Sequence, residues 1–336
     1  MADIAVPIID FEAFLKGDAA DREAVARAID AACMETGFFA ITGHGLAEET
    51  IEELRAAAVR FFAQPDSDKA KVARPADKIS RGWNFVGDRS LAYSLGRETP
   101  SDLQESFAMG PVEVPDAPYY ACDRARAFFA PNIWPDAQPD LRAKMADYYH
   151  LMENLAHAVM RAFAMALGQP AAHFDHMIDR HTSSLRLIRY PGRAEAVAGQ
   201  RRAGEHTDYG SLTILRGDNV PGGLPGGLQV KPRRSDWIDV TRPDGGFVCN
   251  IGDAMARWTN DRWVSTLHRV GAPPMETKSG TTAEDRISIV FFHNPNYDAE
   301  MRCITADGEA AKYPAETFDA YFMDKLNRGS FGKPDR

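Results

Sequence analysis

A histidine and a carboxylate two residues apart form the most chemically loaded stretch of the chain, Gly204-Glu205-His206-Thr207-Asp208-Tyr209-Gly210. On an extended strand, residues i and i+2 point to one face, so His206 and Asp208 would stand side by side. One more imidazole from a second strand would complete a set of two histidines and one carboxylate. Such a set holds Fe(II) on one side and leaves the other side open for a cosubstrate and O2. His268, in Ser265-Thr266-Leu267-His268-Arg269-Val270, is the candidate; it follows His206 by 60 residues (268 minus 206), room for several strands before the chain returns. Alone, a His-x-Asp triplet says little, because such pairs are common on surfaces and in satisfied cores.

A second pair adds specificity. Eighteen residues past His268 comes Arg286-Ile287-Ser288, on a run to Phe292 in which Ile287, Ile289 and Phe291 face one way and Arg286, Ser288 and Val290 the other. A buried guanidinium is costly unless a carboxylate neutralises it. A guanidinium fork beside a hydroxyl is a good receptor for a small dicarboxylate. Tyr190 shares a strand face with Arg186, though Pro191 follows it and it could simply end its strand.

His206-x-Asp208, His268 and Arg286-x-Ser288 together resemble the Fe(II)/2-oxoglutarate-dependent dioxygenases, in the branch that includes isopenicillin N synthase. Also similar are Leu187-Ile188-Arg189-Tyr190-Pro191, Gly226-Gly227-Leu228-Gln229-Val230, Asn250-Ile251-Gly252-Asp253, and the N-terminal Val6-Pro7-Ile8-Ile9-Asp10-Phe11 and Gly37-Phe38-Phe39. The resemblance spans nearly the whole chain. It implies Fe(II) held by His206, Asp208 and His268, with 2-oxoglutarate held by Arg286, Ser288 and Tyr190. It further implies oxidative decarboxylation of 2-oxoglutarate coupled to hydroxylation, desaturation or cyclisation of a small organic molecule. The segment 74–118 would cover the mouth of the site, making Arg81, Trp83, Phe85 and Tyr93, with Phe292, substrate contacts. The chain departs from the plant enzymes in a longer stretch at Ala272 to Glu284 and in Ile188, where many carry Asn.

The elements that must position these groups follow from periodicity. Helical spacing covers Asp21 to Thr36, Glu48 to Phe62, Leu141 to Leu167 and Ala315 to Asn327, with Gly37 and Gly168 as stops. Strands are expected at Ile4–Ile9 and Phe38–Thr42. From Thr182 short strands follow at Thr182–Tyr190, Ser211–Leu215, Leu228–Lys231, Trp237–Val240, Phe247–Ile251, Val264–Val270, Arg286–Phe292 and Met301–Ile304. Eight short strands with Gly/Pro punctuation fit a double-stranded β-helix, or jelly roll, of the mainly β, α+β class with flanking helices. The expected organisation is a single catalytic unit over 1–336, with a helical and loop part at 1–120 and the jelly-roll core at 180–305.

With 336 residues, 26% charged and 44% hydrophobic, the chain has an ordinary globular composition. A net charge of −9 without a basic block argues against nucleic acid or an anionic membrane as partner. The apolar runs are too short for a membrane span. Met1 to Asp10 carries no secretory pattern. Cys33, Cys122, Cys249 and Cys303 form no C-x-x-C, as expected of reduced thiols in a cytoplasmic protein. His44 sits in a turn and is expected to be structural. His150, His157, His173, His176 and His181 share no helix face.

Rival chemistries stay open on the sequence. An oxidase of the isopenicillin N synthase type would use Arg286-x-Ser288 for its substrate and need no 2-oxoglutarate. A zinc hydrolase could use the same triad with water in the fourth position, but no general base is evident and Arg286 would go unexplained. A non-catalytic jelly-roll binding protein leaves the triad without purpose. A serine hydrolase lacks its G-x-S-x-G, and the glycines at 217–227 lack the G-K-[ST] of a phosphate loop.

Overall fold

The computed structural model describes residues 5–75, 79–88, 91, 100–192, 201–218, 227–233, 235–271 and 285–330, without the side chains of 329 and 330. The N-terminal part supplies β1 (Ile8–Asp10), β2 (Phe38–Thr42), β3 (Gly82–Asn84) and β4 (Glu105–Met109). Then come β5 (Ser184–Tyr190), β6 (Ala203–His206), β7 (Leu212–Gly217), β8 (Leu228–Val230), β9 (Ile238–Asp239), β10 (Phe247–Ile251), β11 (His268–Val270) and β12 (Arg286–His293). A final pair, β13 (Glu300–Met301) and β14 (Glu316–Thr317), stands apart.

An eight-stranded sheet in the order β1-β2-β10-β7-β12-β5-β4-β3 faces a four-stranded sheet in the order β6-β11-β8-β9. Strand alternation sorts the large sheet into two faces. Leu185, Leu187, Ile287, Ile289 and Phe291 point into the main core, where the helices Ala19–Glu35, Glu48–Phe62 and Pro139–Ala166 pack. Ile188, Tyr190 and Val290 point the other way, toward Ala203 and Val270 of the small sheet. A second apolar cluster joins the two sheets through Phe38 and Val248 on one side and Val230 and Val240 on the other. The space between the sheets, flanked by these clusters, is where the chemistry-bearing residues converge.

The long helix, 28 residues, spans about 42 Å at 1.5 Å per residue. Its Met145, Met152 and Met160 are fully buried filler in the core. Gly168 stops it in the left-handed region, at φ 71°. Gly37 does the same for the first long helix, at φ 70°, and a side chain there would run into the Val264 carbonyl.

Several boundaries differ from the sequence expectation. The first long helix starts earlier, at Ala19, because Asp18 and Asp21 form a reciprocal capping box. The C-terminal helix is Phe318–Ser330, since Glu316 and Thr317 are drawn into pairing with β13. Val264 to Leu267 does not join the β11 ladder; Val264 N–H goes to Cys33 O and Leu267 O accepts from Lys231. The strand β3 and the helix Asp253–Trp258 were not anticipated, and the strand expected to carry both His206 and Asp208 is β6, which ends at His206. The stretch at 272–284 and Tyr93 lie outside the described residues. Among the described residues, no helix is long and apolar enough to cross a membrane.

Candidate metal centre

The small sheet brings the two histidines together. β11 pairs with β6 so that His268 lies directly opposite His206, with ring centroids 4.2 Å apart. Asp208 is not on the strand, contrary to the i, i+2 argument. β6 ends at His206, and Asp208 sits in the turn beyond it. What aims Asp208 is its surroundings: Asp253 N–H donates to its carbonyl at 2.7 Å, while Thr213 Oγ1 (2.6 Å) and Asn250 Nδ2 (2.7 Å) donate to Oδ2. Oδ1 is left toward the imidazoles, 3.9 Å from His206 Nε2 and 3.7 Å from His268 Nε2.

Each histidine is turned by its own backbone. Gly204 O accepts from His206 Nδ1 at 2.8 Å, and Thr266 O accepts from His268 Nδ1 at 3.1 Å. With the proton held on Nδ1, the lone pair sits on Nε2 and both point at one spot beside Oδ1. Donor atoms of the three residues all lie within 4.8 Å of one another, and among the described residues no other such group of three occurs. Burial and the neighbouring His268 press the His206 imidazole down to about 4, keeping it neutral. Burial would push the Asp208 carboxyl up, but the two imidazoles with Asn250 and Thr213 outweigh it and hold it below its usual range. Two imidazoles and a carboxylate, converging on one spot, suit a divalent metal.

The large sheet supplies the second cluster. β12 and β5 pair with Arg286 opposite Tyr190 and Ser288 opposite Ile188, so Arg286, Ser288 and Tyr190 share the face that looks at the small sheet. Asp218 fixes the start of β12, accepting Ile287 N–H at 2.8 Å on its side chain and one Arg286 N–H at 3.3 Å on its carbonyl. Arg286 Nε is buried with no partner among the described residues, and burial pulls the guanidinium below its usual value. Gly217 and Gly227 line the space beside it, where Cβ atoms would approach within 3.9 and 3.8 Å of its terminal nitrogens. Burial pushes the Tyr190 hydroxyl up to about 12, so it stays a donor. Arg202, only 3% exposed, is pushed down to about 10 by burial and by repulsion from Arg286. Two guanidiniums beside a phenol make a receptor for negative charge.

The remaining candidates divide. Phe292 lies on the site-facing side of β12 with the Arg186 guanidinium 5.4 Å from its ring. Phe85 is 41% exposed at the surface. Arg81 and Trp83 are not brought to the triad. Arg81 donates to the carbonyls of Ser80, Ala130 and Phe128, pinning the loop. Trp83 points into the helical core, its indole N–H on Glu105 at 2.7 Å. The same carboxylate takes Lys69 (2.8 Å) and Arg189 (2.7 Å), a buried hub on the back of the sheet. His44 is structural, bonding Gly245 O and Leu46 N–H. Sequence reasoning missed Asn250 and Thr213, and gave Arg186 only as sharing the strand face of Tyr190. Asn250 and Asp253 stand inside a family-like motif, which was the available signal for Asn250.

Comparison with known proteins gives concordant matches. Residues 6–137 match the model of the N-terminal region of the non-haem dioxygenases in morphine synthesis, and residues 181–295 match the 2OG-Fe(II) oxygenase superfamily. The chain is 34% identical to the 2-oxoglutarate-Fe(II) type oxidoreductase hxnY of Emericella nidulans, covering 98% of this chain and 90% of that one. It is also 34% identical to the proline hydroxylase buaE of Petromyces alliaceus, over 92% of this chain and 94% of that one. The crystal structure of a full-length Neurospora crassa protein in complex with alpha-KG superposes with a TM-score of 0.82 at 31% identity, over 97% and 98% of the two chains.

Proposed function

The chain belongs to the Fe(II)/2-oxoglutarate oxygenase superfamily, and on that premise we propose that His206, Asp208 and His268 hold the iron while Arg286, Ser288 and Tyr190 seat 2-oxoglutarate. The chemistry that iron and 2-oxoglutarate supply together is activation of O2 to oxidise a substrate C–H bond, with succinate and CO2 as co-products. The observation that carries the assignment is the direction of the ring nitrogens: both Nδ1 atoms face backbone carbonyls, and both Nε2 atoms face Asp208 Oδ1.

Each residue has a task at a stated atom. Gly204 O and Thr266 O hold the protons on Nδ1. Asn250 and Thr213 keep Asp208 ionised and turned. The unpartnered Arg286 Nε awaits an anion, the Ser288 hydroxyl lies on the same face, and Tyr190 stays protonated to donate. The two apolar clusters flank the space between the sheets.

The substrate is a small organic molecule, held on the Phe292 and Arg186 side and hydroxylated. Likeness to the proline hydroxylase of Petromyces alliaceus supports that class. N-terminal strands built into the same sheet as β5 and β12 support one catalytic unit. Four unpaired cysteines support the reducing cytoplasm. Likeness to the isopenicillin N synthase branch rests on the sequence motifs.

The test is an anaerobic titration of the Fe(II) protein with 2-oxoglutarate, following the visible metal-to-ligand charge-transfer band. A band that appears in the wild type and requires about 10- to 100-fold more 2-oxoglutarate in Arg286→Ala, with iron binding intact, is expected from loss of a charged hydrogen bond of about 1.5–3 kcal/mol. Iron binding without any band would overturn the cosubstrate assignment in favour of a 2-oxoglutarate-independent oxidase.

A further inference from the structure

Asp102 is a buried carboxylate, 2% exposed, that the proposed chemistry does not use. It precedes β4 and reaches two separate pieces of chain. Its Oδ1 accepts Gly204 N–H at 2.8 Å, and its Oδ2 accepts Leu91 N–H at 2.9 Å. Gln104 Nε2 is a weaker third donor at 3.5 Å. Beside the first of these bonds, Leu103 N–H donates to Arg201 O at 2.9 Å, so residues 102–103 grip 201–204 at two points.

The residue gripped is the one that turns His206. Gly204 gives its N–H to Asp102 and receives the His206 Nδ1 proton on its carbonyl, so a relay Asp102–Gly204–His206 runs from the N-terminal loop to Nε2. β6 has four residues and pairs on its β11 side with a register shift between His268 and Val270. Its ladder alone therefore holds Gly204 loosely. Through Leu91, the other oxygen seats an apolar side chain on the cluster of Ile188, Tyr190, Ala203 and Val290. Burial pushes the Asp102 carboxyl up to about 6, against the pull of the N–H bonds. A fold retains such a costly group where its bonds are needed.

We propose that Asp102 is a positioning residue for the metal centre, orienting His206 through Gly204 while fastening Leu91 beside Tyr190. The inference rests on the assignment of His206 as an iron ligand. A carboxylate is the group the geometry requires, because both oxygens must accept. An amide keeps one acceptor and turns its NH2 against the second N–H.

The test compares wild type, Asp102→Asn and Asp102→Ala in anaerobic Fe(II) titrations, followed by 2-oxoglutarate and the charge-transfer spectrum. Circular dichroism and thermal midpoint confirm folding. Fe(II) affinity is expected to fall about tenfold in each variant, the scale for groups that orient a ligand from behind. The band is expected to shift in energy, which a general loss of stability would not cause. Folded Asp102→Asn with Fe(II) affinity within twofold of wild type and an unmoved band overturns the proposal, even if Asp102→Ala does not fold. A wild type that binds no Fe(II) sinks the metal assignment itself and is seen before any variant is compared.

Discussion

His268, the proposed third ligand, illustrates how little such a residue needs from its own neighbours in sequence and how much from backbone and sheet. Its Nδ1 faces Thr266 O two residues back, its ring edge meets Phe38 at 5.4 Å, and β11 places it opposite His206. Removing it leaves one imidazole and one carboxylate, too few to retain a divalent ion at ordinary concentrations. His268→Ala is expected to lose stoichiometric iron and all 2-oxoglutarate-dependent O2 uptake, measured by metal analysis and an oxygen electrode. Retained iron and turnover would place the third ligand elsewhere. His206-x-Asp208, His268 and Arg286-x-Ser288 were legible from residue types and spacing. Asn250 and Thr213 were not, because an amide and a hydroxyl have many ordinary uses and only proximity to Asp208 Oδ2 gives them this one.

At the scale of the element, β12 does two jobs. Its start carries Arg286 and Ser288 to the site face, and its last residue, His293, is fully enclosed beside Ser211. Burial, aided by repulsion from His181 and His157, lowers His293 well below its ordinary range. The folded chain thus stays neutral there while the unfolded chain takes up a proton near pH 6.5. The unfolded state binds more protons in that window, so stability is full above about pH 6.5 and is lost as pH falls toward the folded value. Urea midpoints of metal-free protein between pH 7 and 5 should show the loss, and His293→Asn should reduce it by on the order of 1–2 kcal/mol. An unchanged slope would refute the assignment. The alternation of β12 was visible in sequence, since Ile287, Ile289 and Phe291 make one face apolar while Arg286 and Ser288 stand on the other. β6 was not, because Ala203-Gly204-Glu205-His206 has neither alternation nor strand-forming residues; it is a strand only because β11 pairs with it.

For the whole molecule, a metal held by the proposed ligands would bolt together parts that are far apart in sequence. His206, Asp208 and His268 come from two strands and a turn, and Asp208 is braced by β7 and β10 of the other sheet. Ligand that binds only the folded state adds RT ln(1 + [L]/Kd), about 2.7 kcal/mol at a free concentration 100 times Kd. Chelating Fe(II) should therefore lower the thermal midpoint by several degrees, and adding 2-oxoglutarate back to iron-loaded protein should raise it. A midpoint indifferent to both would mean the triad is no metal site. The sequence by itself determined the residue types, the faces of the long helices and long strands, and hence the chemistry the chain could perform. Those properties are local, set by side-chain identity and by periods of 3.6 and 2. Only the tertiary structure decided that Asp208 is aimed from a turn, that Trp83 and Arg81 are tied away from the site, and that Asp102 stands behind His206. Each of those depends on hydrogen bonds between residues 22 to 102 positions apart, which spacing along the chain does not encode.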